Sequence, residues 1–349
     1  MPDMAANTGC QAIFHQSMQK AMPMIANFLA PGDRLRLVMA HPAYRLGEAL
    51  AAARPGFGWQ MARDVETMLD LARTADAMII SGLWRDELLT AAPHLRFVQS
   101  ISAGVNHFPL EAMRARGIRL ASAQGVNSGA VAEHALAMML ALSRHLHLAR
   151  DRQRARTWRP MIGTPALRER ELAGLTLLIV GLGGIGRKLA GFAKALGMTV
   201  LATKREMSGA HAAVDRLVPA GDLLSVLPQA DIIALTCPLT PETNGIINAN
   251  AFAAMKEGAV LINVARGKVV VEEAMIAALQ TGRLSAAGLD CVDIEPLPAA
   301  SPLWAFDNVL ITPHSAGETR SYEARVIDLF LDNVDRLMRG ETRLRNEVI

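Results

Sequence analysis

Aromatic residues make up only 4% of this 349-residue chain. So few rings exclude the stacking platforms on which single-stranded nucleic acids are held. Cysteine is scarcer still: Cys10, Cys237 and Cys291 lie far apart, with no Cys-x-x-Cys and no Cys/His ligand spacing. That pattern fits a reducing compartment and excludes a disulfide scaffold or a structural zinc site, so no metal is expected. Neither sign of charge prevails, since 36 Lys and Arg face 33 Asp and Glu for a formal net charge of +3. The densest basic run, Arg144 to Arg159, reads as a solvated helix end or a subunit contact, and nothing demands a nucleic-acid partner. Long hydrophobic runs are also missing. Leu172 to Ile185 is uncharged but interrupted by glycines, and it falls short of the ~20 residues that span a bilayer. The N-terminus has no basic start followed by an apolar core, so it does not read as a secretory signal. The expectation is a cytoplasmic protein with no membrane partner.

What is present is core-forming material: 51% of the residues are hydrophobic and 20% charged. This excludes a disordered or fibrous chain. At ~150 residues per domain, the length predicts about two domains. Residues 1–33 are irregular and Met-rich and read as an extension with some helix. Beyond them, strand-like stretches at Leu35–Ala40, Ala77–Ile80 and His94–Ser100 alternate with helical stretches at Arg45–Ala53 and Arg85–Ala92. Strand–helix alternation predicts a parallel sheet with helices on both faces. From Ser128, a plausible N-cap, Val131, Ala135, Met138, Leu142 and Leu146 recur at helical spacing, which predicts one long helix. A second alternation runs from Leu175 to about Pro313. The last segment, Ser321 to Arg339, is amphipathic and helical.

The strand Leu175–Val180 runs into Gly181-Leu182-Gly183-Gly184-Ile185-Gly186, and a helical stretch follows. In that context the glycines carry a mechanism. Gly181 makes the tight turn, Gly183 lets a pyrophosphate approach the backbone, and Gly186 lets helix pack on strand, with the helix N-terminus facing the phosphates. The next strand, Thr199–Thr203, decides which dinucleotide is taken. A site selective for NAD places Asp or Glu at its end, whereas this chain offers Lys204 and Arg205. Two cations favour the 2′-phosphate of NADP(H), and NAD(H) remains the alternative.

Three later stretches end just beyond strands, where open parallel sheets place their ligands. Val260–Asn263 leads to Arg266, Ala287–Val292 to Glu295, and Val309–Thr312 to His314. Hydride transfer to a 2-keto acid needs a fork to hold the carboxylate and polarise the carbonyl. It also needs an acid for the nascent alkoxide and a group that keeps the acid protonated. Arg266, His314 and Glu295 supply these in turn.

On the stretches Gly181–Gly186, Cys237-Pro238-Leu239-Thr240-Pro241-Glu242-Thr243, Asn263–Gly267, Asp290–Pro296 and Thr312–Gly317, taken in that order, the chain resembles the D-isomer-specific 2-hydroxyacid dehydrogenases over roughly residues 95–335. The resemblance implies that Arg266 binds substrate, that His314 is the acid/base and that Glu295 partners it. It places Asp290 at the nicotinamide end, with Val264, Ala265 and Gly317 as further cofactor neighbours beside Gly184 and Ile185. Pro238 and Thr243 would line the adenosine side, which makes Cys237 a pocket neighbour and not a nucleophile. Ser102, Ala103 and Gly104 match a loop whose backbone N–H groups help hold the substrate carboxylate. Many members carry Asp where Asn106 stands, so only the backbone role carries over. Trp84 stays open between a substrate wall and surface or domain-interface packing.

The fold implied is α/β: two doubly wound parallel-sheet lobes, with a Rossmann cofactor domain (121–316) inserted into a flavodoxin-like substrate domain (1–120 and 317–349). The long helix and the arm after it would build a homodimer. The implied activity is reduction of a small 2-keto acid to a D-2-hydroxy acid, with glyoxylate or hydroxypyruvate favoured over a bulkier substrate. The chain stops soon after its C-terminal helix, so no appended regulatory domain is expected. Formate oxidation fits less well, since Gln is typical at the position of Glu295. Phosphite oxidation and a dinucleotide-binding corepressor are the remaining alternatives, and the intact Arg266, Glu295 and His314 favour an enzyme.

Overall fold

Apolar runs that alternate with amphipathic stretches fold as two parallel sheets in the computed structural model, which describes Phe28, residues 34–207 and residues 211–349. The extension expected over residues 1–33 lies, apart from Phe28, outside the described residues. The chain divides into two compact units, one running to Gln124 and taking in Ser321–Ile349, the other Gly125–Arg320.

The first unit holds β1 (Leu37–Ala40), α1 (Leu46–Ala53), β2 (Trp59–Ala62), α2 (Val65–Ala72), β3 (Ala77–Ile80), α3 (Leu88–Ala91), β4 (Phe97–Ser100), α4 (Leu110–Ala115) and β5 (Arg119–Ala121). The strand order is β2-β1-β3-β4-β5, all parallel, which is the flavodoxin-like order. β1, β3 and β4 are buried along their whole length, as strands covered on both faces must be. The last helix of the chain returns to this unit. Its Phe330 stacks on Phe97 at 6.0 Å between ring centroids, and its Asn333 donates to buried Gln99 at 3.1 Å. The segment after that helix pairs antiparallel with β5, with Val348 N–H donating to the Leu120 carbonyl at 2.8 Å.

The second unit opens with α5 (Ser128–Ser143) and α6 (Leu146–Arg154). It continues with β6 (Thr176–Val180), α7 (Gly184–Ala195), β7 (Thr199–Lys204), β8 (Arg216–Pro219), α8 (Leu223–Val226), β9 (Ile232–Leu235), α9 (Ala249–Ala254), β10 (Ala259–Asn263), α10 (Glu272–Gln280), β11 (Leu284–Leu289) and β12 (Val309–Ile311). The returning helix of the first unit is then α11 (Tyr322–Met338). All the second unit's strands are parallel, in the order β12-β11-β10-β9-β6-β7-β8. The order reverses between β6 and β9, and ligands of such sheets bind at the carboxyl ends of the strands there. Alternation along β6 feeds two cores. Leu177 and Ile179 pack with α5 and α7, while Leu178 and Val180 pack on the opposite face with Phe252 and Met275.

The single long helix expected from Ser128 is two. α5 ends at Ser143, and α6 restarts after His145, whose φ of 51° is left-handed and turns the chain. Nor does Ser128 cap the helix. Asn127 takes the capping position without a side-chain bond, and the Ser128 hydroxyl faces Gly184 instead.

Candidate active site

At the end of β6 the backbone turns at Gly181, whose φ is 98°. A Cβ there would lie 2.7 Å from the Cys237 Cα, so only glycine lets β6 and the segment after β9 approach so closely. Thr203 and Thr236 fix the turn: the Gly181 N–H donates to Thr203 Oγ1 at 3.3 Å, and the Thr236 hydroxyl donates to the Gly181 carbonyl at 2.7 Å. Gly186 is required for packing, because a Cβ would meet the Gly181 carbonyl oxygen at 2.7 Å. Gly183 differs. It is the N-cap of α7, its φ of −91° suits any residue, and a Cβ on it meets nothing within 4 Å. No protein atom demands a glycine there, whereas an anion drawn to the uncapped N–H groups of Gly184, Ile185 and Gly186 does. The loop therefore fits a dinucleotide pyrophosphate.

The end of β7 forms one rim of this crevice. Thr203 is buried and bonded to Gly181, Lys204 is half-buried, and Arg205 is the first exposed residue after β7. Across the rim, Thr243 accepts from Thr240 N–H at 2.8 Å and donates to the Pro238 carbonyl at 2.6 Å, closing the turn after β9. The Thr240 hydroxyl and, beyond it, the charge of Arg205 hold the Glu242 carboxyl below its usual range. Arg205 and the 238–243 turn thus share one rim. Burial pushes the Cys237 thiol up to about 11 and the Cys291 thiol up to about 12, so neither is a thiolate nucleophile.

Arg266 follows β10 by a short turn that Asn263 clamps. The Asn263 Oδ1 accepts from Ala265 N–H at 3.0 Å, and its Nδ2 donates to the Arg266 carbonyl at 3.1 Å. Val264 and Ala265 are buried in this turn. One guanidinium nitrogen donates to the Ala265 carbonyl at 2.7 Å, and the rest of the fork has no hydrogen-bond partner among the described residues. The next residue, Gly267, presses against the segment after β11. A Cβ there would fall 1.9 Å from the Val292 carbonyl oxygen. The Val292 N–H in turn donates to Glu295 Oε1 at 3.1 Å, and Glu295 Oε2 accepts from His314 Nδ1 at 2.8 Å. A chain of contacts therefore leads from the Arg266 turn to Glu295 and on to His314. Nδ1 serves the carboxylate, so Nε2 is the nitrogen left to face a reactant. His314 itself sits at φ 54°, an unfavourable backbone for a non-glycine residue.

Asp290 lies beneath this loop at 3% exposure. Its carboxylate accepts from the Thr312 hydroxyl at 2.6 Å, from Ser315 N–H at 2.9 Å and from Ala316 N–H at 3.1 Å. Gly317, which follows, would set a Cβ 2.5 Å from the Asn127 amide nitrogen. His134 of α5 approaches from below, 3.0 Å from Thr312 Oγ1 and 3.6 Å from Asp290 Oδ1. One turn further along α5, Met138 would meet a Cβ on Gly288 at 3.1 Å. Sequence reasoning passed over both Asn263 and His134. A polar residue on the otherwise apolar side of α5 was the available signal for His134.

Ser102, Ala103 and Gly104 belong to the first unit, just beyond β4. The Ser102 N–H is spent on Ser100 Oγ at 3.0 Å, and its carbonyl accepts from Ala123 N–H. The N–H groups of Ala103 and Gly104 make no hydrogen bond among the described residues, which leaves those two for an anion. The Ser102 hydroxyl meets Ser81 Oγ at 2.6 Å. Trp84 is buried, 5.1 Å from the Phe108 ring, and belongs to the core of this unit. Among the described residues, no group of His, Cys, Asp and Glu is arranged to hold a metal, and no helix is long and apolar enough to cross a membrane.

Comparison with known proteins gives consistent matches. Residues 136–316 fit the family model described as "D-isomer specific 2-hydroxyacid dehydrogenase, NAD binding domain". A glyoxylate reductase of Aeropyrum pernix is 34% identical over 289 residues, 79% of this chain and 84% of that one. Glyoxylate/hydroxypyruvate reductase B of Escherichia fergusonii is 37% identical over 258 residues, 73% of this chain and 78% of that one. In three dimensions, the crystal structure of a D-isomer specific 2-hydroxyacid dehydrogenase from Xanthobacter autotrophicus with NADPH and MES superposes with a TM-score of 0.75. It is 29% identical, covering 91% of this chain and 98% of that one.

Proposed function

The chain belongs to the D-isomer specific 2-hydroxyacid dehydrogenase family, whose members are NAD(P)-dependent oxidoreductases, and we propose that it reduces small 2-keto acids, glyoxylate or hydroxypyruvate foremost, with NADP(H). The observation that carries this reading is the pair His314 and Glu295 at 2.8 Å, with the imidazole Nε2 unspent. Arg266 binds the substrate carboxylate and polarises the carbonyl with the guanidinium groups its own turn leaves open. His314 donates the Nε2 proton to the oxygen as it gains charge, and Glu295 stabilises the ring while it is doubly protonated. When bound, the reduced nicotinamide supplies hydride to the carbonyl carbon. Ala103 and Gly104, with Ser102 as their anchor, hold carboxylate through the backbone.

The preference for NADP(H) over NAD(H) rests on Lys204 and Arg205, two cations directly after Thr203 where a site selective for NAD places Asp or Glu. We also read the protein as a cytoplasmic homodimer. In support, the arm after α5 exposes Leu146, Trp158, Met161 and Leu167, and Trp158 and Met161 are each 97% exposed. The domain assignment that goes with this reading is a substrate domain over 1–120 and 317–349 around a cofactor domain over 121–316. The test is NADPH and NADH oxidation, side by side, over a panel of 2-keto acids from glyoxylate to phenylpyruvate. Turnover with small keto acids and NADPH is the expected result. Dinucleotide binding without turnover on any member would overturn the reading.

A further inference from the structure

The acid/base loop is stapled from below by Asp290. Its carboxylate takes the Thr312 hydroxyl two residues before His314 and the N–H groups of Ser315 and Ala316 just after it. The staple spans His314, whose backbone is left-handed, and that conformation costs of order 1–3 kcal/mol unless its surroundings hold it. Asp290 Oδ1 is already an acceptor to Ser315 and Ala316, so Thr312 must be the donor in their 2.6 Å contact. A hydroxyl has one proton to give. The 3.0 Å contact between Thr312 Oγ1 and His134 Nε2 therefore runs the other way, with the imidazole N–H donating. The network assigns His134 the tautomer protonated on Nε2 and gives the chain one direction, from His134 to Thr312 to Asp290.

We propose that His134 is a positioning residue for the acid/base His314: by donating to Thr312 it fixes that hydroxyl on Asp290 and so holds the strained loop in its working conformation. The inference deepens the functional reading above and rests on it. Without the imidazole donor, the Thr312 hydroxyl is free to rotate, the staple loses its first leg, and His314 drifts from Glu295. Gln can replace the donor at this position, and Leu cannot.

Two variants, His134→Leu and His134→Gln, test this in the full-length protein. Leu should lower kcat by about 10- to 100-fold, the scale expected when a catalytic group is misplaced by an ångström. Dinucleotide Kd should stay within about twofold, because the phosphate loop is untouched, and Gln should recover most of kcat. Histidine-labelled protein gives a readout independent of turnover. The Nδ1 proton that His314 shares with Glu295, assigned by its loss in His314→Gln, should be present in wild type and the Gln variant and lost in the Leu variant. A Leu variant with wild-type kcat and an intact His314 signal would overturn the proposal, as would a Gln variant as impaired as the Leu one. Should wild type reduce no 2-keto acid with either dinucleotide, the functional reading fails by itself, and the His314 signal still decides the role of His134.

Discussion

His314 donates from Nδ1 to Glu295 at 2.8 Å, and the other Glu295 oxygen is tied to the Val292 N–H at 3.1 Å. The carboxylate is held from both sides, which dictates how the pair responds to substitution. Replacing His314 with Gln should lower kcat by roughly 10²–10⁴-fold, the contribution typical of a placed general acid. Dinucleotide affinity, read by NADPH fluorescence, should hardly change. In Glu295→Gln, the amide oxygen must stay on the Val292 N–H, which turns the amide NH₂ toward His314 and removes the acceptor that Nδ1 requires. Turnover should again fall, by about 10²-fold or more. An active Glu295→Gln enzyme would show that the charge is not used.

The glycines of the phosphate loop should separate into two kinds. Gly183→Ala meets no protein atom within 4 Å, so the variant should keep its thermal midpoint while binding NADPH at least about tenfold more weakly. Gly186→Ala would force a Cβ to 2.7 Å from the Gly181 carbonyl, and it should be destabilised by about 1–3 kcal/mol even without ligand. Equal melting of the two variants, followed by thermal shift, would contradict the division of roles.

Selectivity between dinucleotides should reside in Lys204 and Arg205. The double change to Ala should raise KM for NADPH by about 10- to 100-fold and leave KM for NADH within about twofold, since only the former has a phosphate to lose. Glu242, across the rim, is held ionised first by Thr240 and then by Arg205. Removing Arg205 therefore leaves an uncompensated anion, which further disfavours a phosphate. A constant ratio of the two KM values would sink the assignment.

Acid stability gives an independent check on the first unit. Burial alone would raise the Asp76 carboxyl, but three hydrogen bonds from Arg36, at 2.7, 2.9 and 3.0 Å, more than offset it and hold it below its ordinary 3.8. Because the folded state binds this proton less readily than the unfolded chain, the pair's contribution is complete above pH ~4 and fades as the pH falls below that. Asp76→Asn should therefore be about 1–3 kcal/mol less stable than wild type at pH 7. The gap should shrink in urea titrations carried out below pH 4.

The sequence made the strands with nearly continuous apolar runs legible, because β1, β3, β6 and β10 are buried on both faces and their composition says so. β2 carried no such signal: Trp59 and Gln60 at the sheet edge are exposed, and only Ala62 is fully buried. The break at His145 was hidden for a different reason. A left-handed turn made without glycine leaves the helical periodicity intact through Leu146. The candidate residues Arg266, Glu295 and His314 were readable from their places just beyond apolar strands. What holds them was not, because the His134 contact with Thr312 joins residues 178 positions apart, and helix periodicity reports only on neighbours within a few turns.

α5 touches, in succession, Gly317 through the preceding Asn127, Gly184 through Ser128, Thr312 through His134 and Gly288 through Met138. A single rod thus abuts the glycine-rich loop after β6, the loop that carries His314, and β11. A displacement of the whole rod along its axis would move dinucleotide affinity and turnover together, whereas a change at one contact, such as His134, or at Lys204 and Arg205, bears on one of them alone.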